Sequence, residues 1–229
     1  MEAKPHERVA GPTRTVLEGD GVAWLAQSAL PPTHAVVTSL PDVSELRALG
    51  FEGWRAWFVD TVALACAQTA ESAVTVFYQS DIRREGRWID KGFLVASGAE
   101  RAGAACLFHK VVCRRPAGSV VRGRAGYSHL LAFSRGLRTD GDEPSVDVLP
   151  TLGAMPWPRA MGTAACEEVC RFLLASTACR TVVDPFCGMG TMLAVAGAYG
   201  LDAIGVERSP RRAAKARELR FHRPSATAG

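Results

Sequence analysis

The sequence predicts an α/β fold built on a mostly parallel sheet of seven strands, with an antiparallel hairpin at one edge. Short runs rich in β-branched residues alternate with longer segments of helical periodicity, which is typical of parallel sheets covered by helices. Two runs late in the chain each end in an acid, Asp184 and Glu207. A turn containing Gly188 and Gly190 follows the first acid and leads into a helix. Parallel sheets form nucleotide pockets at such strand ends.

The individual elements follow from the two periodicities. Runs rich in Val, Ile and Thr predict strands at 15–17, 35–38, 74–78, 105–112, 127–134, 182–184 and 203–207. Apolar residues at helical spacing predict helices at 22–28, 54–68, 88–97, 163–175, 192–199 and 210–220. The runs 105–112 and 127–134 bracket an Arg- and Gly-rich loop and are expected to form the hairpin. The proline-rich segment 140–159 is expected to be a linker.

The chain has 229 residues, of which 48% are apolar, enough for one sizeable core. We expect a single domain over 14–221, with flexible tails at 1–13 and 222–229. No apolar run reaches the roughly 18 residues of a membrane span, so we expect no membrane partner. The first residues are polar and carry acids, unlike a secretory signal.

The cysteines indicate a reducing compartment. There are seven, an odd number, with no CxxC pair, so a disulfide framework is not expected. Cys166 and Cys170 share a predicted helix face, but no histidine or second cysteine pair completes a zinc site. We therefore expect buried thiols, no metal, and an intracellular protein of the cytoplasm or nucleus.

Positive charge is concentrated in two segments. Residues 101–139 hold eight Lys or Arg and no acid, and residues 208–223 hold seven against one acid, although the net charge is only +4. Such segregation favours contact with a polyanion, while a solvated basic face is the alternative. The candidate nucleic-acid-binding residues are Arg83, Arg84, Arg87, Trp88, Lys110, Arg114, Arg115, Arg122 and Arg124.

The segment from Asp184 to Thr191 reads Asp-Pro-Phe-Cys-Gly-Met-Gly-Thr. Glycine lets the backbone pass close beneath a ligand, and Glu207, about 20 residues further on, is placed to accept the hydroxyl protons of a ribose. An ordinary strand-to-helix turn and a dinucleotide site are the alternatives. Leu193 occupies the position of the third glycine of a dinucleotide motif.

This string resembles the S-adenosylmethionine (SAM) motif of Rossmann-like class I amino-methyltransferases of DNA and RNA, which act on adenine N6 or cytosine N4. Its position near the C-terminus resembles the circularly permuted members, which have a permuted motif order. The resemblance covers roughly residues 15–220, and SAM is the cofactor it implies. The cofactor-binding residues it implies are Asp20, Thr163, Asp184, Pro185, Phe186, Cys187, Gly188, Gly190, Thr191 and Glu207. Asp20 and Thr163 have local alternatives, a strand-end turn and a helix N-cap respectively.

The resemblance also implies a catalytic tetrapeptide, at Ser39, Leu40, Pro41 and Asp42. In the family, its first side chain and a backbone carbonyl accept the hydrogens of an exocyclic amine, and an aromatic residue stacks on the base. Here Leu40 replaces a proline and Asp42 replaces the aromatic residue. A plain turn in which Asp42 caps the next helix is the alternative.

Three functions remain open from the sequence. The first is methyl transfer to a nucleic-acid base, with RNA favoured over DNA because residues 42–180 leave little length for a target-recognition insertion. The second is methyl transfer to a small-molecule or protein amine. The third is a non-catalytic SAM-fold subunit. The sequence also leaves open a homodimer or an activating partner subunit.

Overall fold

The computed structural model describes residues 11–139 and 145–223. Its ten strands are β1 (Arg14–Glu18), β2 (His34–Thr38), β3 (Thr75–Gln79), β4 (Ile82–Arg84), β5 (Arg87–Ile89), β6 (Ala105–Cys113), β7 (Tyr127–Ser134), β8 (Val148–Leu149), β9 (Thr181–Asp184) and β10 (Asp202–Glu207). Its six α-helices are α1 (Gly21–Ala26), α2 (Gly50–Gln68), α3 (Lys91–Arg101), α4 (Thr163–Ser176), α5 (Thr191–Ala198) and α6 (Pro210–Glu218).

Eight of these strands form one mixed sheet in the order β1-β10-β9-β2-β3-β7-β6-β8. The first five run parallel, and β7 is antiparallel to both β3 and β6. The predicted mostly parallel sheet with an antiparallel hairpin is confirmed, with one strand more than predicted. That strand, β8, has two residues, lies in the predicted linker and pairs outside β6, so the hairpin is one strand in from the edge.

Neighbouring residues on the central strands alternate between two apolar clusters on opposite faces of the sheet. On β2, Val37 packs with α4, α5 and α6, whereas Val36 packs with α1, α2 and α3. On β9, Val182 and Val183 divide in the same way. Strands buried on both faces need continuous apolar runs, which is why these runs were recognisable in the sequence.

The predicted helix at 88–97 begins later than expected. Residues 82–89 form a separate two-stranded hairpin, β4–β5, and α3 starts at Lys91 because the Asp90 side chain accepts a hydrogen bond from Phe93 N and caps it. The predicted N-cap at Thr163 is also wrong. Gly162 holds that position, where a Cβ would overlap the carbonyl oxygen of Leu152.

Among the described residues, no helix is both long and apolar enough to cross a membrane. All seven cysteines lie in the described part of the chain, and all are free thiols.

Candidate cofactor and substrate cleft

A cleft of about 410 Å³ opens at the carboxyl ends of β2, β3, β9 and β10. It is lined by Asp184, Phe186, Cys187, Gly188, Thr191 and Glu207 on one side, which we call the cofactor half. On the other side lie Ser39, Leu40, Pro41, Asp42, Gln79 and Lys91, which we call the substrate half. Ser39 and Asp184 are 145 residues apart in the sequence, and parallel pairing of β2 with β9 brings them together.

Asp184 ends β9 and joins the two halves. Its Oδ1 accepts hydrogen bonds from Thr38 Oγ1 at 2.6 Å and from the backbone N–H of Phe186 at 3.1 Å. Thr38 directly precedes the tetrapeptide, so one carboxylate fixes both strand ends. Burial, together with the nearby Glu207 carboxylate, outweighs these hydrogen bonds and raises the pKa of Asp184 to about 7.

Glu207 ends β10 and is also buried. Its Oε1 accepts a hydrogen bond from Ser209 N at 2.8 Å and lies 3.6 Å from Nε of Arg212 on α6. Because a carboxylate has four lone-pair sites, it can still accept hydroxyl protons. Arg212 was not singled out in the sequence, since nothing distinguished it within the basic segment 208–223.

The glycine turn between β9 and α5 is tightly packed. Gly188 and Gly190 have φ angles of +56° and +80°, which favour glycine. A Cβ on Gly188 would lie 2.8 Å from the indole of Trp157, and one on Gly190 would lie 2.9 Å from the Cα of Ala216. Cys187 is buried, and burial raises the pKa of its thiol, so it lacks the thiolate character of a nucleophile.

The linker contributes to the cleft in a way that composition could not show. Trp157 Nε1 donates a hydrogen bond to Thr191 Oγ1 at 3.3 Å. Arg159 lies 3.4 Å from Glu45 across the cleft and has a φ of +79°, a conformation that costs energy in a non-glycine residue. Both side chains line the cleft.

All four residues of the tetrapeptide line the substrate half. Trp54 Nε1 donates to the carbonyl of Pro41 at 3.1 Å, so this indole holds the turn in place. In the described part of the chain, neither Ser39 Oγ nor the carbonyl of Leu40 accepts a hydrogen bond. Both acceptors are therefore open in the sense that no described protein group donates to them.

Asp42 is paired with a buried lysine that sequence reasoning missed. Lys91 Nζ lies 3.6 Å from Asp42 Oδ2, and its side chain is 5% exposed. Burial lowers the pKa of Lys91, and the Asp42 carboxylate opposes that shift. An ion pair therefore lies in the substrate half, at the tetrapeptide position where the resemblance implies a stacking aromatic ring.

Asp81 anchors the β4–β5 hairpin beside the cleft. Its two oxygens accept hydrogen bonds from Lys91 N, Trp88 Nε1, Tyr127 OH and His129 Nε2, at 2.8 to 3.2 Å. Burial raises the pKa of Asp81, but the hydrogen bonds, led by that of His129, outweigh it and hold the pKa below its ordinary value. Asp81, Asp90 and His129 each have one potential metal-ligand atom within 4.8 Å of the other two. Both oxygens of Asp81, however, already accept hydrogen bonds from protein groups.

Arginines surround the cleft. Arg83, Arg114, Arg124, Arg159 and Arg212 line it, and Arg84, Arg87, Arg115 and Arg122 are exposed nearby on the β4–β5 hairpin and the β6–β7 loop. Trp88 is 41% exposed, and the guanidinium of Arg83 lies 5.2 Å from the centre of its ring. These arginines and Trp88 are accessible to a polyanion.

Lys110 is not accessible, and its assignment to the nucleic-acid surface is wrong. Its side chain points inward and is 3% exposed. The ammonium donates hydrogen bonds to Ser145 Oγ and to the carbonyl of Val146, both at 2.7 Å, and lies 3.6 Å from Glu168. Two of its donors are therefore used by hydrogen bonds inside the protein, and its charge is paired with the Glu168 carboxylate.

Four implied cofactor residues do not line the cleft. Asp20 is exposed and caps α1 by accepting hydrogen bonds from Val22 N and Ala23 N, both at 3.0 Å. Thr163 begins α4, and its Oγ1 accepts a hydrogen bond from Ala154 N. Pro185 and Gly190 lie in the turn between β9 and α5 but do not line the cleft. A Cβ on Gly21 would overlap the Pro185 carbonyl oxygen.

Comparison with protein-family models and with curated proteins finds no match. Among solved structures, TTHA0409 of Thermus thermophilus, a proposed DNA modification methylase, superposes with a TM-score of 0.68. It is 20% identical, and the alignment covers 90% of this chain and 93% of that one. A second structure of it contains S-adenosyl-L-methionine, with a TM-score of 0.67.

Two further solved structures are similar. The PvuII DNA methyltransferase, described as cytosine-N4-specific, is 14% identical with a TM-score of 0.67, covering 91% of this chain and 87% of that one. The M1.HpyAVI–SAM complex is 13% identical with a TM-score of 0.58, covering 90% and 98%. That the motif order is circularly permuted stays a prediction. The chain has the Rossmann-like fold of class I methyltransferases.

Proposed function

We propose that this protein is a SAM-dependent methyltransferase that acts on an exocyclic amine of a nucleic-acid base. The observation that carries the proposal is the meeting of Asp184 and Glu207 with the open acceptors of Ser39 and Leu40 in one cleft. Solved structures of the same fold contain SAM. Their shared architecture supports the cofactor assignment.

The cofactor half suits a cationic nucleoside. Glu207 is placed to accept hydrogen bonds from the ribose hydroxyls. The positive charges of a bound donor would favour the ionised form of Asp184, whose pKa is about 7 without them. Gly188 lets the Trp157 indole pack against the turn, because a Cβ there would lie 2.8 Å from it. Phe186 supplies an apolar wall, and its ring meets Trp57 edge-on with 6.0 Å between the ring centres. When bound, SAM supplies an activated methyl group on a sulfonium.

The substrate half would orient the nucleophile. Ser39 Oγ and the Leu40 carbonyl would accept the two amine hydrogens and turn the nitrogen lone pair toward the methyl group. Attack by nitrogen would form the C–N bond as the S–C bond breaks, with the electron pair of the S–C bond left on sulfur. The amine then loses one proton, to Asp42 or to solvent. Proximity and electrostatic fit provide the acceleration.

The choice between RNA and DNA needs a direct test. The length argument for RNA loses force because TTHA0409, described as a DNA methylase, is matched over 93% of its length by this compact chain. Both polymers have the phosphates that the arginines around the cleft can bind. A partner subunit is not required by this proposal, since one chain lines both halves of the cleft.

The test is transfer of labelled methyl from SAM to unmethylated DNA and RNA, with Ser39→Ala as the variant. We expect label in nucleic acid with the wild type and a loss of about 100-fold with Ser39→Ala, at unchanged SAM affinity. Transfer that is independent of salt, on free amines or proteins, would instead favour the small-molecule alternative. SAM binding without transfer to any acceptor would favour a non-catalytic subunit.

A further inference from the structure

Two buried side chains of the substrate half have donors that no protein group fully uses. Gln79 is 1% exposed, and its Nε2 has no hydrogen-bond partner among the described residues. Lys91 is 4% exposed, and its nearest acidic oxygen, on Asp42, is 3.6 Å away, which is long for a hydrogen bond. Both side chains line the cleft.

Such donors are costly unless a ligand uses them. A buried N–H without an acceptor loses its hydration and gains nothing in return. Gln79 ends β3, next to β2, and Asp81 holds the start of α3 by accepting from Lys91 N at 2.8 Å. Both donors are therefore on rigid elements rather than on a loop, which suits recognition of a specific ligand.

The substrate half thus combines acceptors with two donors. Ser39 Oγ, the Leu40 carbonyl and the Asp42 carboxylate are the acceptors, and Lys91 Nζ and Gln79 Nε2 are the donors. The pairing edge of cytosine has an amine, a ring nitrogen acceptor and a carbonyl acceptor in a row. The pairing edge of adenine has an amine and one ring nitrogen, followed by a C–H.

We propose that Lys91 and Gln79 select cytosine over adenine as the methylated base, so that the product is N4-methylcytosine. The inference rests on the proposed function above. Cytosine would satisfy both donors with its ring nitrogen and carbonyl oxygen. Adenine would leave one donor buried against a C–H bond, and a site built to hydrogen-bond rejects a ligand that lacks the acceptor.

The arrangement also accounts for the altered tetrapeptide. A stacking ring at position 42 would recognise any base through its π-face, whereas Asp42 lies against the Lys91 ammonium. The Lys91 ammonium also lies 6.0 Å from the centre of the Trp54 ring. Asp42 and Trp54 together therefore hold the ammonium at the cleft, and Lys91 acts as a specificity-determining residue.

The test is nucleoside mass spectrometry after incubating the enzyme and SAM with unmethylated DNA and RNA pools. We expect N4-methylcytosine in excess of N6-methyladenine. Gln79→Met, of similar volume but with no donor, should lower kcat/KM for cytosine about tenfold while adenine methylation and SAM affinity stay unchanged. Lys91→Met should also lower kcat/KM for cytosine, and Gln27→Met, on the exposed end of α1, is the matched control.

Predominant N6-methyladenine, or an unchanged cytosine preference in Gln79→Met with intact SAM binding, would overturn the inference and leave the proposed function standing. Absence of both SAM binding and transfer in the wild type would refute the proposed function itself. The effect of Gln79→Met is measured as the ratio of N4-methylcytosine to N6-methyladenine. A general loss of stability would lower both products together and leave this ratio unchanged.

Discussion

Asp184 is a carboxyl group that the fold keeps away from water at the end of a central strand. Its pKa of about 7 lies above the value of 3.8 expected for an exposed aspartate. A raised carboxyl pKa means that folding favours the protonated form. Stability from this group is therefore complete below pH about 4 and declines as the pH rises toward 7, by up to ~1.4 kcal/mol per pH unit.

This decline of stability with rising pH predicts the behaviour of Asp184→Asn. The free energy of unfolding of the SAM-free variant should fall less than that of the wild type between pH 5 and pH 8, because the amide never ionises. Urea unfolding at several pH values measures the difference. Asp60→Asn, an exposed residue paired with Arg101, should follow the wild type. An equal pH dependence of the free energy of unfolding in the wild type and in Asp184→Asn would contradict the burial argument.

Glu207 has a natural comparison residue in the neighbouring strand. Glu18 lies opposite Glu207 in the β1–β10 register, but it is exposed and bonded to Arg217. Glu207→Gln should weaken SAM binding at least tenfold, because the amide is a poorer acceptor for ribose hydroxyls. Glu18→Gln should leave the affinity unchanged. Isothermal titration calorimetry measures the SAM affinity of both variants. Equal affinities would show that Glu207 does not bind the cofactor.

Among the elements, the glycine turn before α5 combines two constraints that can be separated. Gly190 and Gly200 share a φ of +80°, but a Cβ on Gly200 meets nothing within 4 Å. Gly200→Ala should therefore cost only the left-handed strain, about 1–2 kcal/mol. Gly190→Ala should cost clearly more, because the added methyl collides with the backbone of α6. Denaturant unfolding of the two variants gives the comparison, and equal losses would show that the turn and α6 are not packed as described.

The β4–β5 hairpin is the element expected to meet nucleic acid. Replacing Arg83 and Arg87 with Ala should weaken binding of a DNA or RNA oligonucleotide and reduce the salt dependence by up to about two ion contacts. SAM affinity should be unchanged. A control pair, Arg101→Ala and Arg180→Ala, removes two exposed arginines at the opposite end of the sheet. Fluorescence anisotropy over a series of salt concentrations measures the binding affinity and its salt dependence for both double variants. Equal salt dependences in the two would show that the hairpin does not bind the nucleic acid.

Most strands could be predicted from the sequence because burial on both faces demands continuous apolar runs, as in Ala35 to Thr38. The β4–β5 hairpin could not, since its strands have only three residues each and half-exposed, arginine-rich sequences. Its position depends on contacts that Asp81 makes with Tyr127 and His129, some 46 and 48 residues later. Local periodicity contains no information about such contacts.

At the scale of the whole molecule, the sequence indicated the location of the cleft better than its contents. The two motifs could be placed together because parallel strand ends meet at one edge. Lys91, Gln79 and Trp157 could not be found, because a lysine at a helix start, a glutamine in a strand and a tryptophan in a linker have no distinctive spacing. Lys110 shows the opposite error. It belongs to a basic segment by sequence, but its register on β6 directs it toward Glu168.

The central claim is that one cleft holds a methyl donor between Asp184 and Glu207 and directs it toward Ser39. A crystal structure of the protein grown with SAM tests this most directly. We expect the ribose within hydrogen-bond distance of Glu207, the amino acid portion beside Asp184, and the methyl carbon facing the Ser39–Asp42 segment. SAM bound elsewhere, or an empty cleft in crystals grown with saturating SAM, would contradict the claim.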